Sequence, residues 1–402
     1  MRRSLLVFTV STAIVAGACS PLNGAAPSPE IRSPNTPIYN GTGVSATITT
    51  TTTVDTSRRL SFALTGDVLT HTPIINQARR NALLLNSAAE TESGTNFEYV
   101  YDPMFARITK MISGADLAIC HLETPIAPAG EDLSTFPLFG VPPQITDAIA
   151  NSGFDRCSTA GNHAYDRGVD GIEATIRALT ASGLGQSGMA HVPNDIEPKI
   201  FLVNSVKLTH LSYTFSYNGL SLPDDQQWRS AIIDPERILL DAKKARELGA
   251  QVVIVSMHWG TEKDPRPNAM QTTIAERLTA SGLIDLIVGH HAHVVQPIAQ
   301  LNGVWVFYGL GNVLSNLPTD DRWPANSQDA VIATINMTIT SSGKLVVDRP
   351  VVHPTWVDKD HGWVIRPVLE DLADPNVAPG TKAALKISLA RTARVLGDYF
   401  PK

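Results

Sequence analysis

The sequence predicts a layered α/β domain with mixed sheets, set behind an N-terminal leader and a tether. Three observations lead there. From Leu60 onward, short β-rich runs alternate with helical ones, the pattern of strands covered by helices. Some runs come in strand pairs with no helix between them, so the sheets are expected to be mixed. Residues 20 to about 58, in contrast, have a Pro-, Ser-, Thr- and Gly-rich composition that cannot bury a core. With 402 residues, 43% hydrophobic and 17% charged, the rest of the chain is ample for a globular domain.

The leader is "MRRSLLVFTVSTAIVAGACS": two arginines, an apolar run and then small residues. This is the order of an export signal. The run from Leu5 to Ala18 is shorter than the roughly 20 apolar residues a membrane span needs. Small residues directly before Cys19, in "VAGAC", resemble a bacterial lipoprotein box, which implies cleavage after residue 18 and a lipid on the Cys19 sulfur. A leucine is more usual where Ala16 stands, and the alternative is an ordinary secretory signal with an incidental cysteine. Residues 19–58 are rich in Pro, Ser, Thr and Gly and read as a linker between an anchor and the domain at 59–402.

The elements follow in order. "RLSFALTGD" is a strand ending in a Gly-Asp turn, and "PIINQARRNALLLNS" a helix opened by Pro73. "ADLAICHLET" is a buried strand, and "VPPQITDAIANSG" a helix stopped by Gly153. "FDRCSTAGNH" is a strand and turn, and "GVDGIEATIRALTASG" a helix. "KIFLVNSVKLTHLSYTF" is a strand pair. "DPERILLDAKKARELGA" is a helix with basic residues toward its end, feeding the strand "QVVIVSMHWG". Then come the helix "AMQTTIAERLTASG", the strands "LIDLIVGH", "GVWVFYGLGN", "DAVIATINMTIT" and "KLVVDRPVV", and a closing helix, "GTKAALKISLARTARVLGDYF". Cys120 and Cys157 lie in or beside apolar stretches, where a disulfide and two buried thiols are both compatible with the sequence.

The polar residues at the strand ends form a pattern. Successive strands end in Asp67, in His121 and Glu123, in Asn162 and His163, in His258, in His290, His291 and His293, and in Asn312. Ligands of open α/β sheets bind beyond the carboxyl ends of the strands, so these residues are expected around one crevice. Carboxylate, amide oxygen and imidazole are ligand types for divalent transition ions. A site for two ions needs a bridging carboxylate and several neutral imidazoles. If the "GHHAH" segment is extended, His291 and His293 point the same way. Each motif alone has an ordinary reading: a turn aspartate, a left-handed asparagine, a core histidine. Their recurrence at strand end after strand end is what points to metal.

The stretches "LTGDV", "DLAICHLETPI", "AGNHAYDRGVDGIEAT", "VIVSMHWGTE", "VGHHAHVVQPI" and "FYGLGNVLSN", across about residues 60–316, resemble the capsule-synthesis family called CapA (poly-γ-glutamate biosynthesis). The resemblance implies a metallo-dependent phosphatase-like fold, an α-β-β-α sandwich, with residues 317–402 as a C-terminal extension. It also implies roles. Asp67 would bind one ion, Glu123 would bridge, and Asn162 would bind the second ion. His258 and His291 would complete the second ion, and His293 would return to the first. His163 would stabilise charge on the leaving group, oriented by Asp166. His290 and Asn312 would support the ligands from behind. The pattern departs in two places. Leu69 stands where phosphatases of this fold have a histidine, and His121 stands where the family more often has asparagine. His121 shares strand parity with Glu123 and would supply the missing imidazole. One or two ions, of Mn, Fe or Zn, are therefore both open.

The implied function is a metal-dependent hydrolase or transferase acting on an amide or phosphoester of an envelope polymer such as poly-γ-glutamate. The alternatives are a non-catalytic, metal-stabilised component of a polymer synthesis or export assembly, and a general envelope metallophosphoesterase. The expected location is the outer face of the bacterial cell membrane, held by the lipid anchor, or secretion. A formal charge of -6 without a long basic block points away from nucleic acid.

Overall fold

A computed structural model describes residues 56–89 and 97–400. The leader, Cys19 and nearly all of the linker lie outside the described residues. The first part runs β1 (Arg58–Val68), α1 (Thr72–Ala89), α2 (Asp102–Phe105), α3 (Thr109–Ile112), β2 (Leu117–Leu122), α4 (Gln144–Asn151), β3 (Arg156–Ser158), α5 (Gly168–Ala181) and β4 (Gly185–Ser187). The middle runs β5 (Phe201–Val203), β6 (Val206–Thr214), α6 (Pro235–Glu247), β7 (Val252–His258), α7 (Ala269–Thr279), β8 (Leu286–His290), β9 (Ile298–Leu301) and β10 (Val304–Phe307). The last part runs β11 (Asn312–Leu314), β12 (Asp329–Ile339), β13 (Leu345–Val347), β14 (Val351–Asp358), β15 (Val364–Pro367), α8 (Val368–Ala373) and α9 (Pro379–Leu396).

The strands form two mixed sheets. The first has the order β15-β14-β12-β1-β2-β3-β4, with β11 also beside β1 and β13 beside β12. The second has the order β5-β6-β7-β8-β10-β9. The two-residue period of the strands decides what each face meets. Leu60, Phe62 and Leu64 of β1 point to the second sheet and pack in one cluster with Leu208, Ile254, Leu286 and Phe307. Ala63, between them, turns outward and joins Ile74 and Ala78 of α1. In the second sheet Val253, Val255 and Ile287 turn outward against Ile238 and Ala242 of α6 and Ala275 and Leu278 of α7. The result is the layered α-β-β-α sandwich. Each large side chain fully buried between the sheets contributes about 2–3 kcal/mol.

Local chemistry sets the helix limits. Asp234 caps α6 by accepting from the Glu236 N–H, Pro235 opens it, and Lys244 and Arg246 stand in its last turn. Asn268 and Gln271 form a reciprocal capping box at the start of α7. Among the described residues no helix is long and apolar enough to cross a membrane.

Two segments differ from their sequence reading. "GVWVFYGLGN" is not one strand: β10 ends at Phe307 in the second sheet and β11 starts at Asn312 in the first. The glycines at 309 and 311 let the chain change sheets, and Gly311 has a φ of +75°. "KLVVDRPVV" likewise divides into β13 and β14, where Pro350 interrupts the ladder. Cys120 and Cys157 are register partners on β2 and β3 and are joined by a disulfide, with Cα atoms 4.4 Å apart.

Candidate metal centre

Register places the polar residues in two facing rows. Across the first sheet, Asn312 pairs with Asp67, Asp67 with His121, and His121 with Ser158. Across the second, His258 pairs with His290. β11, β1, β2 and β3 are mutually parallel, as are β6, β7 and β8, so both rows sit at carboxyl ends except at Asn312, which opens β11 and meets the crevice from that strand's amino end. The crevice therefore lies between the two sheets of the sandwich. β1 is irregular between Leu64 and Asp67, and Gly66 passes so close to Gly311 that a Cβ there would stand 1.9 Å from the Gly311 carbonyl oxygen. Only glycine permits this crossing, and it aims Asp67 into the crevice.

Asp67 is the hub of the cluster. Its carboxylate accepts from the His291 backbone N–H at 3.0 Å and meets His290 Nδ1 at 3.1 Å and His293 Nδ1 at 3.5 Å. Burial would raise its pKa, but the His290 and His293 contacts outweigh burial and hold it well below the usual carboxylate range. Glu123 is in the opposite state. Both its oxygens are buried without a hydrogen-bond partner among the described residues. Burial pushes its pKa up to about 8. Its nearest cationic candidates are His293 Nε2 at 3.6 Å and His258 Nε2 at 3.9 Å. Burial acts to lower His293, but the charges of Glu123 and Asp67 win and raise it to about 10. His293 Nδ1 also meets Asn312 Oδ1 at 2.9 Å, and Asn312 Nδ2 donates to the His293 and Ser327 carbonyls. Asn312 thus fixes the His293 bend.

A chain of hydrogen bonds crosses between the sheets. Ser158 Oγ meets His121 Nδ1 at 2.8 Å, and His121 Nε2 meets His258 Nδ1 at 2.9 Å. His258 Nε2 meets Asn162 Oδ1 at 3.0 Å, and Asn162 Nδ2 donates to Asn218 Oδ1. Protons ordered from Ser158 toward Asn162 satisfy every link; the opposite order frees both His258 Nε2 and Asn162 Oδ1 for an ion. About 3 Å is also the spacing of two adjacent ligands each about 2.1 Å from a zinc-sized ion. His121 stacks on His290 at 4.2 Å. Burial, then the neighbouring imidazoles, hold His258 well below its usual pKa, and burial takes His291 to about 3. Neutral imidazole is the ligand form.

His163 Nδ1 meets Asp166 Oδ2 at 2.6 Å, and the Phe139 N–H donates to the same oxygen at 2.7 Å. This locks the imidazole by its Nδ1 and leaves Nε2 for chemistry. All eleven residues expected at the site thus come together. Donor atoms of Glu123, His291 and His293 all lie within 4.8 Å of one another. The strand-parity argument for His291 and His293 does not apply, because both follow β8 with φ values of +85° and +57°. Their rings are instead brought to 5.9 Å by the bend itself. His71 is buried against Phe139 with Nδ1 3.1 Å from the Leu69 carbonyl.

A divalent ion fits this donor set. The two Glu123 oxygens, His291 Nδ1 and His290 Nε2 are buried polar atoms with no hydrogen-bond partner among the described residues. Such orphans are rare in proteins unless a ligand, water or ion completes them. Sequence reasoning missed Ser158, Asn218 and Phe215, whose ring packs on His291 at 4.5 Å. Ser158 had one signal, its alternation with Arg156 on a buried strand; Asn218 lies on an irregular connection and had none.

A sequence model of the family described as bacterial capsule synthesis protein PGA_cap matches residues 61–317. The chain is 30% identical over 218 residues to the PGA biosynthesis protein CapA of Bacillus subtilis (strain 168), a match covering 53% of this chain and 55% of that protein. It is 29% identical over 189 residues to the capsule biosynthesis protein CapA of Bacillus anthracis, covering 46% and 45%. The chain therefore spans about half the length of these relatives. Among solved structures, it is similar to a putative 5'-nucleotidase from Staphylococcus aureus, at 14% identity and a TM-score of 0.44, covering 73% of this chain and 54% of that one.

Proposed function

The chain belongs to the family of bacterial capsule synthesis proteins described as PGA_cap, and from that premise we propose that it is a metal-dependent hydrolase or transferase acting on an amide or phosphoester of an envelope polymer. The observation that carries the reading is the fully buried, unpartnered Glu123 carboxylate facing His291 and His293. Its oxygens have no hydrogen bond among the described residues and face the neutral His258 and His291 and the protonated His293, whose proton an ion would displace. Glu123, Asn162, His258, His291 and His293 would hold the ion or ions, with Asp67 oriented by His290. A bound divalent ion supplies Lewis-acid polarisation of a carbonyl or phosphoryl oxygen and activates water.

The protein's own residues supply the rest. His163, held through Nδ1 by Asp166, presents Nε2 as the proton donor to a leaving group. Asn218 fixes the Asn162 amide so that its oxygen faces His258. Poly-γ-glutamate is the proposed polymer, through the named role of the Bacillus subtilis relative in PGA biosynthesis. Export, with a lipid anchor on Cys19, belongs to the same proposal. The Cys120–Cys157 disulfide supports export, because disulfides persist outside the reducing cytoplasm.

The test is metal content of the purified protein beside His291→Ala and His163→Ala, with all three assayed on γ-glutamyl peptides and on a generic phosphodiester. Metal lost in His291→Ala and kept in His163→Ala, with activity lost in both, is the expected result. A metal-replete wild type that holds no ion would sink the reading. Activity kept in His163→Ala would remove that residue from the chemistry, and a metal-loaded wild type active on neither substrate would leave a non-catalytic component of a polymer assembly.

A further inference from the structure

On the His293 side of the cluster, the chain seats a lysine on the face of a tryptophan. Lys263 follows β7, in "HWGTEK". Its backbone N–H donates to the Ala292 carbonyl at 2.8 Å, which ties it to the bend that carries His291 and His293. Its φ is +71°, a region that a lysine holds only when its surroundings impose it. Its Nζ stands 4.3 Å from the centroid of the Trp323 ring. That ring meets the His293 ring edge-on at 5.6 Å. The ammonium is therefore no more than about 10 Å from a candidate ligand ring, the two centroid distances laid end to end. Both Lys263 and Trp323 are partly exposed, so the pair is open to a ligand.

The other cations nearby are engaged. Arg266 pairs with Asp264, and Arg322 pairs with Asp320. Lys359 donates to the Asn316 and Pro318 carbonyls. Among the described residues Lys263 forms no ion pair; its ammonium lies on an aromatic face, and its charge also reaches Asp320, which is paired with Arg322.

We propose that Lys263, seated on Trp323, anchors a carboxylate of an acidic polymer chain whose reacting bond lies over the Glu123–His291–His293 cluster; this rests on the metal-dependent reading above. A lysine ammonium is a point charge that takes one oxyanion without demanding a forked geometry, and a carboxylate on a short methylene arm is such a group. The neighbouring acids, among them Asp320, whose pKa the Lys263 charge helps to lower, repel a doubly charged group more than a single carboxylate. The indole face accepts the methylenes between a carboxylate and the polymer backbone, and it also positions the ammonium. A γ-linked glutamyl chain has this alternation of methylenes, amides and single carboxylates.

The experiment uses the full chain and titrates γ-linked hexaglutamate, the same peptide with its α-carboxyls amidated, and a glycerol-phosphate oligomer of equal length. Wild type, Lys263→Met, Lys263→Arg and Trp323→Leu are compared by calorimetry, with metal content read on the same samples. Hexaglutamate binding is expected to weaken about 10-fold in Lys263→Met, as for loss of one charge-assisted contact. Lys263→Arg is expected to stay near wild type, and the amidated peptide to bind wild type and Lys263→Met alike. Trp323→Leu, which keeps the charge, is expected to fall between. Equal hexaglutamate binding by wild type and Lys263→Met would overturn the proposal. So would a glycerol-phosphate oligomer that binds tighter than hexaglutamate and loses that advantage in Lys263→Met. Failure of the metal-dependent reading is a different result, an absence of ion in the wild type, and the metal content reports it independently.

Discussion

Glu123→Gln should make the metal-free protein more stable and the metal-loaded protein less so. The amide copies the shape of a protonated carboxyl and removes the ionisation. In the unfolded chain the carboxyl has its ordinary pKa of about 4.5; in the folded, metal-free protein burial raises it to about 8. Between those values the folded state holds a proton that the unfolded state has released, so stability falls as pH rises. The contribution is fully present below about 4.5 and lost as pH passes 8. At pH 7 the wild type is then less stable than Glu123→Gln, and the gap widens by at most about 1.4 kcal/mol per pH unit until pH passes about 8. Adding Mn or Zn reverses the order. An ion at a thousand times its Kd adds about 4 kcal/mol to the wild type, and Glu123→Gln loses most of that gain. The assay is urea unfolding across pH 5–9, with chelator and then with metal. Should Glu123→Gln be the less stable protein in chelator at pH 7, the carboxylate has folded-state partners and the argument for a cation there fails.

Three further outcomes are expected. Metal uptake should release protons below pH 8, because Glu123 at about 8 and His293 at about 10 must shed theirs; affinity should fall about tenfold per pH unit per proton as pH drops, measured by calorimetry in buffers of different ionisation enthalpy. Ser158→Ala should leave His121 Nδ1 buried without its partner and lower metal affinity by about 10- to 100-fold, read by competition with a chromogenic chelator. Replacing Cys120 and Cys157 by alanine should lower stability by about 4 kcal/mol, the loop-closure value for a separation of 37 residues; unchanged urea midpoints would show that the bridge does not constrain the unfolded chain.

The parts of the fold legible in the sequence were those with local signals. β7 and β8 are unbroken apolar runs bounded by a helix stop and a polar end, and their terminal His258 and His290 were expected where they lie. The assignment of strands to two sheets was not legible, because hydrophobic period reports a buried face and not which sheet a strand joins. The switch at Gly309–Gly311 was invisible for the same reason: the flanking runs are equally apolar. Within the site, residue types at strand ends were readable, but their pairing was not. That Glu123 has no hydrogen-bond partner among the described residues while Asp67 has three histidine contacts depends on packing across both sheets. Trp323 and Asn218 sit on irregular connections, where no period marks a side chain as facing the crevice.

The antiparallel pairing of β1 with β12 bears on how the chain is made. Arg58 is opposite Ile339, and Leu64 opposite Ala333, so β1 waits for a strand made much later along the chain. Contacts that distant in sequence form slowly, because a long loop must close before they stabilise anything. Until β12 arrives, one edge of β1 is unpaired, with Leu60, Phe62 and Leu64 beside it, a surface prone to aggregation. A chain ending at residue 317 would carry every candidate ligand yet lack the strand that covers that edge. Such a fragment should be recovered as insoluble aggregate. A chain crossing a membrane unfolded would complete its central sheet only once its last third had emerged.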